Sequence, residues 1–396
     1  MPTRGILAYG AYLPYWRLNR ASIAEVTGTT AGRGHRSVAS FDEDTTTMGV
    51  EATRTALAGG APAPEALWFS TVAPAYLDKT NATAIHAALR FDAAIPAVDF
   101  SGAARSAVGA LRAALGSPSR TLVVASDLRV GRSGSSEESD GGDAAVAVLV
   151  GSGDEWPLLA EYLGGAAASA EFTDRWRIPG EAHSRTWEDR FGEQAYGPLV
   201  EKAWADALRA VGLEAADVDR AVVTGLHRRA TARSAGALGV AGADDLATEV
   251  GNTGAAHPTL LLAHLLDSAE ADRVVALVVL ADGCDVLLFR TTGALGAGRP
   301  ARTVSAQLGH RADVPYGRYL AWRGLLDVQP PNRPTPSRTS SPAALRRADW
   351  KLGFVGSRDT TTGITHLPPS RIGILGGVAD DMEEAPMADA VGEIVT

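Results

Sequence analysis

Val98–Leu115 reads VDFSGAARSAVGALRAAL. An extended apolar entry (Ala97, Val98, Phe100) meets Ser101-Gly102-Ala103-Ala104, and a helix of small and apolar residues begins at once. A tight strand-to-helix turn of this kind aims backbone N–H groups and the positive end of the helix dipole at one spot. In many enzymes that spot carries a nucleophile, because the local field lowers a thiol's pKa. Here the position expected for a cysteine is Ala104, with Ser101 and Ser106 on either side. An unactivated serine needs an adjacent base, and the plain alternative for both is a helix cap or a packing residue.

Around this turn, strands and helices alternate. Gly5–Leu13, Leu67–Val72, Ala97–Phe100, Arg120–Ser126 and Ala144–Val150 read as strands, the last two as continuous apolar runs of the buried kind. Leu18–Val26, Met48–Leu57 (capped by Thr45) and Thr80–Leu89 read as helices, while Gly32–Asp44 and the polar Ser133–Asp140 read as loops, the latter flexible. The second half repeats the order. Tyr196–Val211 is a one-sided apolar helix, Arg220–Thr224 a strand, and His227 precedes a helix through Leu238. Gly251-Asn252-Thr253 turns into the apolar helix Thr259–Leu266, and Val274–Leu280 and Asp285–Arg290 are strands around Asp282-Gly283-Cys284. A replayed order predicts internal duplication and an α/β layered core. Gln329–Arg338 is proline-rich, and Lys351–Thr396 reads as a small appendage.

The chain has 396 residues, 45% hydrophobic and 21% charged, with a net charge of −9. That balance fits a globular protein with a large core and argues against nucleic acid or an anionic membrane as partner. No apolar run reaches the roughly 18 residues of a membrane span, and MPTRGILAYG does not read as a signal peptide. A single cysteine, Cys284, excludes an internal disulfide, fits a cytoplasmic protein, and sits between apolar strands as a buried thiol would.

These features resemble the thiolase superfamily, in its branch of β-ketoacyl-carrier-protein synthase III and hydroxymethylglutaryl-CoA synthase, from Gly5 to about Arg323. Asp42–Ala52 (DEDTTTMGVEA), Gly142-Asp143-Ala144-Ala145, Trp187-Glu188-Asp189-Arg190-Phe191 with Tyr196, and Gly251-Asn252-Thr253 carry the resemblance, with His227 in the place of the family's catalytic histidine. It implies a duplicated, five-layered αβαβα thiolase fold, with an N-terminal half at 1–170 and a C-terminal half at 171–325. It also implies a homodimer and a pantetheine tunnel ending at Ala104, His227 and Asn252.

Two departures stand beside the matches. The family's nucleophilic cysteine, five positions after an acidic residue, falls from Asp99 onto Ala104. Its acid/base glutamate, four positions before an Asp-Lys-Ser-like stretch (here Asp78-Lys79-Thr80), falls on Pro74. The tail gives a third resemblance. After a linker at 326–350, residues 351–396 resemble the zinc-ribbon lead-in of an OB-fold module. The C-x-x-C-G pattern of that ribbon falls on Asp359, Thr362 and Gly363, and its second pair near Gly373 and Gly376, so no thiolate is left for zinc and none is expected. The chain stops at Gly392-Glu393-Ile394-Val395-Thr396, where such a barrel would begin, and the tail is expected to be a degenerate docking arm.

The resemblance implies an acyl-CoA or acyl-carrier-protein thioester as substrate, no tightly bound cofactor, and carbon–carbon bond formation or cleavage, or acyl transfer, without an acyl-enzyme. His227 would be a general base or an oxyanion donor together with Asn252; otherwise they are a strand-end histidine and a turn asparagine. Arg228, Arg229 and Arg233 are candidates for coenzyme A phosphates or a solvated helix face. His257 would line the pocket or pack in the core. The rival expectation is a non-catalytic subunit that scaffolds a cysteine-bearing thiolase-like partner and an OB-fold protein.

Overall fold

The computed structural model describes residues 3–30, 32–330, 332–334, 340, 342, 348–375 and 378–392. The chain divides into two compact units: residues 1–82 with 95–328, and residues 83–94 with 329–396.

The first unit is built on one nine-stranded sheet. Its strands are β1 (Arg4–Tyr12), β2 (Ala66–Thr71), β3 (Ala97–Ser101), β4 (Thr121–Asp127), β5 (Ala144–Ser152), β6 (Ala160–Ser169), β7 (Arg220–Gly225), β8 (Val274–Leu280) and β9 (Gly283–Thr291). In space they run β7-β8-β9-β6-β1-β5-β4-β2-β3. From β1 outward the pairings are antiparallel, antiparallel, parallel, parallel. From β6 outward they are antiparallel, antiparallel, parallel. The two halves therefore repeat one topology, with β6, β9, β8 and β7 answering β1, β5, β4 and β2. They meet at a short antiparallel seam of two residue pairs, Gly5 with Glu161 and Ile6 with Ala160.

The helices follow the same repeat. α1 (Thr45–Leu57) lies on β1, β4 and β5, and α4 (Asp189–Val211) lies on β6 and β9. α2 (Arg105–Gly116) and α6 (His257–Ser268) each touch strands of both halves, so they form the middle layer of an αβαβα arrangement. The alternation of buried strand runs and one-sided helices is what makes this stacking the stable solution, since each apolar face finds another. α2 and α6 come together through small side chains, Ala107 against Ala255 and Ala256, which lets their N-terminal ends approach. Among the described residues no helix is long and apolar enough to cross a membrane.

Three sequence expectations change. Gly32–Asp44 is not all loop, because His35–Val38 is a strand paired with Trp16–Asn19. Ser133–Asp140 is not a flexible loop either: Ser136–Asp140 forms a short helix, α3, with the Ser135 side chain accepting the Glu138 N–H. Helix α1 takes its cap from Asp44, whose carboxylate accepts the N–H groups of Thr46 and Thr47, rather than from Thr45.

In the second unit Val355–Asp359 is the central strand between Thr365–His366 and Met382–Pro386. The segment that resembles the ribbon's metal-ligand turn is closed by a carboxylate. Asp359 accepts the N–H groups of Thr361 and Thr362, each at 2.9 Å, and its carbonyl accepts from Gly363 at 2.8 Å. The Thr362 N–H holds its carboxyl below the usual range. Gly373 comes so close that a Cβ there would stand 2.0 Å from Asp359 Oδ2. These residues do not fit zinc, and among the described residues no group of three His, Cys, Asp or Glu side chains is placed to hold a metal. Gly376 lies outside the described residues.

Candidate active site

The turn after β3 places Ala104 directly before α2, as the residue capping it, with no side-chain bond to the exposed N–H groups. Ser106 Oγ donates to the Ser101 carbonyl at 3.2 Å and closes the turn. Arginine at the first helical position opposes the positive end of the helix, and Arg105 is balanced from the other half. Its Nε donates to Asp285 Oδ2 at 2.8 Å, its Nη1 to the Asp282 carbonyl at 2.7 Å, and Arg112 reaches Asp285 Oδ1 at 3.3 Å. The turn of the first repeat is thus bolted to the β8–β9 hairpin of the second. Around Ala104, Leu226, Asn252, Gly254 and Pro258 leave a neck of about 10 Å³, room for roughly one water.

Asn252 and Leu226 also line a cavity of about 590 Å³, together with His227. His227 caps α5 (Arg228–Ala237), and its Nδ1 accepts the Ala230 N–H at 3.0 Å. A nitrogen that accepts carries no proton, so in the neutral ring the proton sits on Nε2. Gly192 of α4 lies against this ring: a Cβ there would be 2.2 Å from Cδ2 and 2.4 Å from Nε2. Asn252 is locked by four bonds. Its N–H donates to Asp140 O (2.7 Å), its carbonyl accepts from Gly142 (2.9 Å), Oδ1 accepts from Gly254 (2.9 Å), and Nδ2 donates to Gly225 O (3.0 Å). Among the described residues Nδ2 has that one acceptor, so its second hydrogen is left over.

The other residues singled out by sequence are spread more widely. Arg228 and Arg229 line the cavity. Arg233 lies further along α5, largely exposed and 4.0 Å from Glu193. Pro74 sits in the half-buried loop after β2, and Ser101 is exposed; neither they nor Ser106 line the cavity or the neck. Cys284 is fully buried, and burial pushes its thiol up to about 12, which makes it a packing group rather than a nucleophile. Sequence reasoning missed Arg129, Glu137 and Arg175, which form part of the cavity wall. The acidic run beside Gly142-Asp143 was the signal that something charged needed partners there.

His257 is buried at the start of α6, its Nδ1 3.4 Å from Thr253 Oγ1, outside the cavity lining. Burial lowers its pKa to about 4. An unfolded histidine takes up a proton below about 6.5, whereas this one stays neutral until about 4, so the term destabilises the fold as pH falls through that window. Its size is on the order of 3 kcal/mol. Urea unfolding at pH 7.5 and pH 4.5 is expected to show a larger loss for the wild type than for His257→Gln. Equal losses would show that His257 is not held neutral.

A duplicated sheet, two central helices and a site at their N-terminal ends define a thiolase-superfamily fold. Solved structures agree. "MvaS in complex with 3-hydroxy-3-methylglutaryl coenzyme A" superimposes with a TM-score of 0.68 at 20% identity, covering 85% of this chain and 95% of that one. The 3-oxoacyl-(acyl carrier protein) synthase III of Pseudomonas aeruginosa gives 0.62 at 22% identity, covering 73% and 98%. The hydroxymethylglutaryl-CoA synthase of Aeropyrum pernix is 31% identical over 346 residues, 82% of this chain and 95% of the relative. That of Pyrococcus furiosus is 30% identical over 227 residues, 55% of this chain and 65% of the relative. No protein-family model matches the chain. The chain belongs to the hydroxymethylglutaryl-CoA synthase family.

Proposed function

We propose that this protein binds an acyl-CoA or acyl-carrier thioester without acylating itself. His227 Nε2–H and Asn252 Nδ2–H would donate to the thioester carbonyl oxygen as it gains charge, in carbon–carbon bond formation or cleavage or in acyl transfer. The observation that carries the reading is the Ala230 N–H on His227 Nδ1, which fixes the tautomer of a ring that lines one cavity with Asn252. In this reading Ala104 stands where the family has its nucleophile and Pro74 where it has its acid/base. With His227 acting as a donor and a proline at position 74, neither of these two residues offers the α-carbon a base. Steps in which the electron pair comes from a breaking C–C bond or an attacking nucleophile are favoured accordingly. Orientation in the cavity supplies part of the acceleration that a covalent intermediate gives elsewhere. The outer edge of β3, at the margin of the sheet, offers a second copy a place to extend it into the proposed homodimer.

The test is calorimetric titration of coenzyme A and several acyl-CoAs, beside His227→Ala, with intact-mass analysis after incubation with acetyl-CoA. Micromolar binding is expected, with the thioesters losing about five- to tenfold in the variant and free coenzyme A unchanged, and no added acetyl mass. A stable adduct of one acetyl unit would overturn the non-covalent reading. The two replaced positions, Ala104 and Pro74, also support a second reading, a non-catalytic subunit scaffolding a cysteine-bearing thiolase-like partner and an OB-fold protein. Absence of binding at millimolar ligand would favour it.

A further inference from the structure

The cavity wall carries a charge cluster that the oxyanion donors do not use. Glu137 lies in the first turn of α3, and its Oε1 accepts from Arg129 Nη2 at 2.7 Å and also from Arg175 Nη2. All three side chains line the cavity that holds His227 and Asn252. Two guanidiniums against this one carboxylate leave a positive excess at Glu137, although Asp174 also lines the cavity; the buried Asp127 near Arg129 is already engaged by the N–H groups of Val72 and Ala255. The neighbouring carboxylate, Asp140, does not cancel it, since Arg20 and Arg228 stand 3.9 and 3.8 Å away from it. Arg129 is 6% exposed, and its Nε is buried with no partner. Each guanidinium carries five N–H donors, and among the described residues the side chains of Arg129 and Arg175 each make one bond, the one to Glu137.

Arg129 is also rigidly placed. Its backbone N–H donates to Asp143 Oδ1 at 2.8 Å and its carbonyl accepts from Arg36 at 2.8 Å. A fixed pair of guanidiniums with spare donors, in a protein of net charge −9, is a preorganised anion seat. The chemistry alone is met equally by a carboxylate on the acyl chain or by a phosphate of the carrier. The placement favours the first, because the cluster shares its cavity with the donors proposed for the thioester carbonyl.

We infer that Arg129 and Arg175, bridged by Glu137, seat a carboxylate at the far end of the acyl group, so that the preferred substrates are monothioesters of dicarboxylic acids. This assignment rests on the thioester reading above. Glu137 tunes the seat: it holds both guanidiniums in register and lowers the charge an incoming anion meets.

The experiment compares binding of free coenzyme A with acetyl, malonyl and succinyl esters, presented on coenzyme A and on pantetheine, to the wild type, Arg175→Gln and Glu137→Gln. The wild type is expected to bind the malonyl or succinyl ester roughly tenfold more tightly than the acetyl ester. Arg175→Gln should erase that preference while leaving free coenzyme A and the acetyl ester unchanged. Glu137→Gln should widen it, because both guanidiniums lose their internal anion; this arm has the opposite sign and does not depend on the first variant folding. Equal weakening of all coenzyme A compounds in Arg175→Gln, with pantetheine esters unaffected, would move the seat to the carrier's phosphates and overturn the assignment. So would a wild type that binds acetyl and dicarboxylic esters alike. A wild type that binds no ester of either carrier would bring down the thioester reading and this inference together.

Discussion

Asp143→Asn is expected to cost about 3–5 kcal/mol of folding stability, read as a lower midpoint in urea or guanidinium unfolding. Asp143 is completely buried and so is Arg36. Its carboxylate accepts the N–H groups of Ala39 and Arg129, each at 2.8 Å, and pairs with both Arg36 (3.3 Å) and Arg323. Tyr319 lies beneath both guanidiniums, with its ring centroid 5.2 Å from that of Arg36 and 5.4 Å from that of Arg323. An asparagine keeps the size but removes the charge, and its NH2 faces donors where an oxygen accepted. Two buried arginines would then share one neutral amide. The cost extends to the cavity, because Arg129 is held through its N–H by the same carboxylate. A loss below about 1 kcal/mol would mean that water reaches the network and screens it.

Gly192→Ala should reverse the usual sign of its substitution. In a helix interior, replacing glycine by alanine ordinarily stabilises by about 1 kcal/mol. Here the new methyl would stand 2.2 Å from the His227 ring, and contacts that close force either α4 or the imidazole to move. Overpacking of this kind costs about 1–3 kcal/mol. If the ring gives way, the Ala230 N–H loses its acceptor and Nε2 no longer points where it did. The variant is therefore expected to be less stable than wild type and to lose thioester affinity by about tenfold, as His227→Ala does. A variant that is more stable and binds thioesters normally would show that α4 and His227 are not in contact in solution.

What was legible in the sequence follows from where the information is stored. The runs Thr121–Ser126, Ala144–Val150 and Val274–Leu280 announce buried strands because each residue faces a packed layer. His227 and Asn252, found through local turns and a resemblance, do line one cavity. Ser133–Asp140 hid its helix because its composition is that of a solvated loop. The helix rests on Glu138, buried and bonded to the hydroxyl of Tyr316, 178 positions away. Strand His35–Val38 depends in the same way on distant partners: Ser37 Oγ donates to the Asp143 carbonyl, and Ser37 N–H to Val250. Strand β6 was unread since its centre, Leu163–Ala168, is glycine and alanine apart from one leucine and carries no β-branched signal. The Arg129–Glu137–Arg175 cluster joins positions 38 residues apart, a distance over which charge pattern alone says nothing.

The duplicated topology also divides labour between the two repeats. In the proposed site the first repeat contributes the methyl group of Ala104 at the mouth of α2, while His227 and Asn252 both belong to the second, ahead of α5 and α6. Two of their anchors, the N–H of Ala230 and the carbonyl of Gly225, are second-repeat atoms as well, while Asp140 and Gly142 of the first repeat hold only the Asn252 backbone. If the proposed roles hold, covalent chemistry and carbonyl polarisation are separately heritable. An edit to one repeat can silence the first while the second keeps its geometry, so a fold made by copying can shed half of an ancestral reaction without dismantling the remainder.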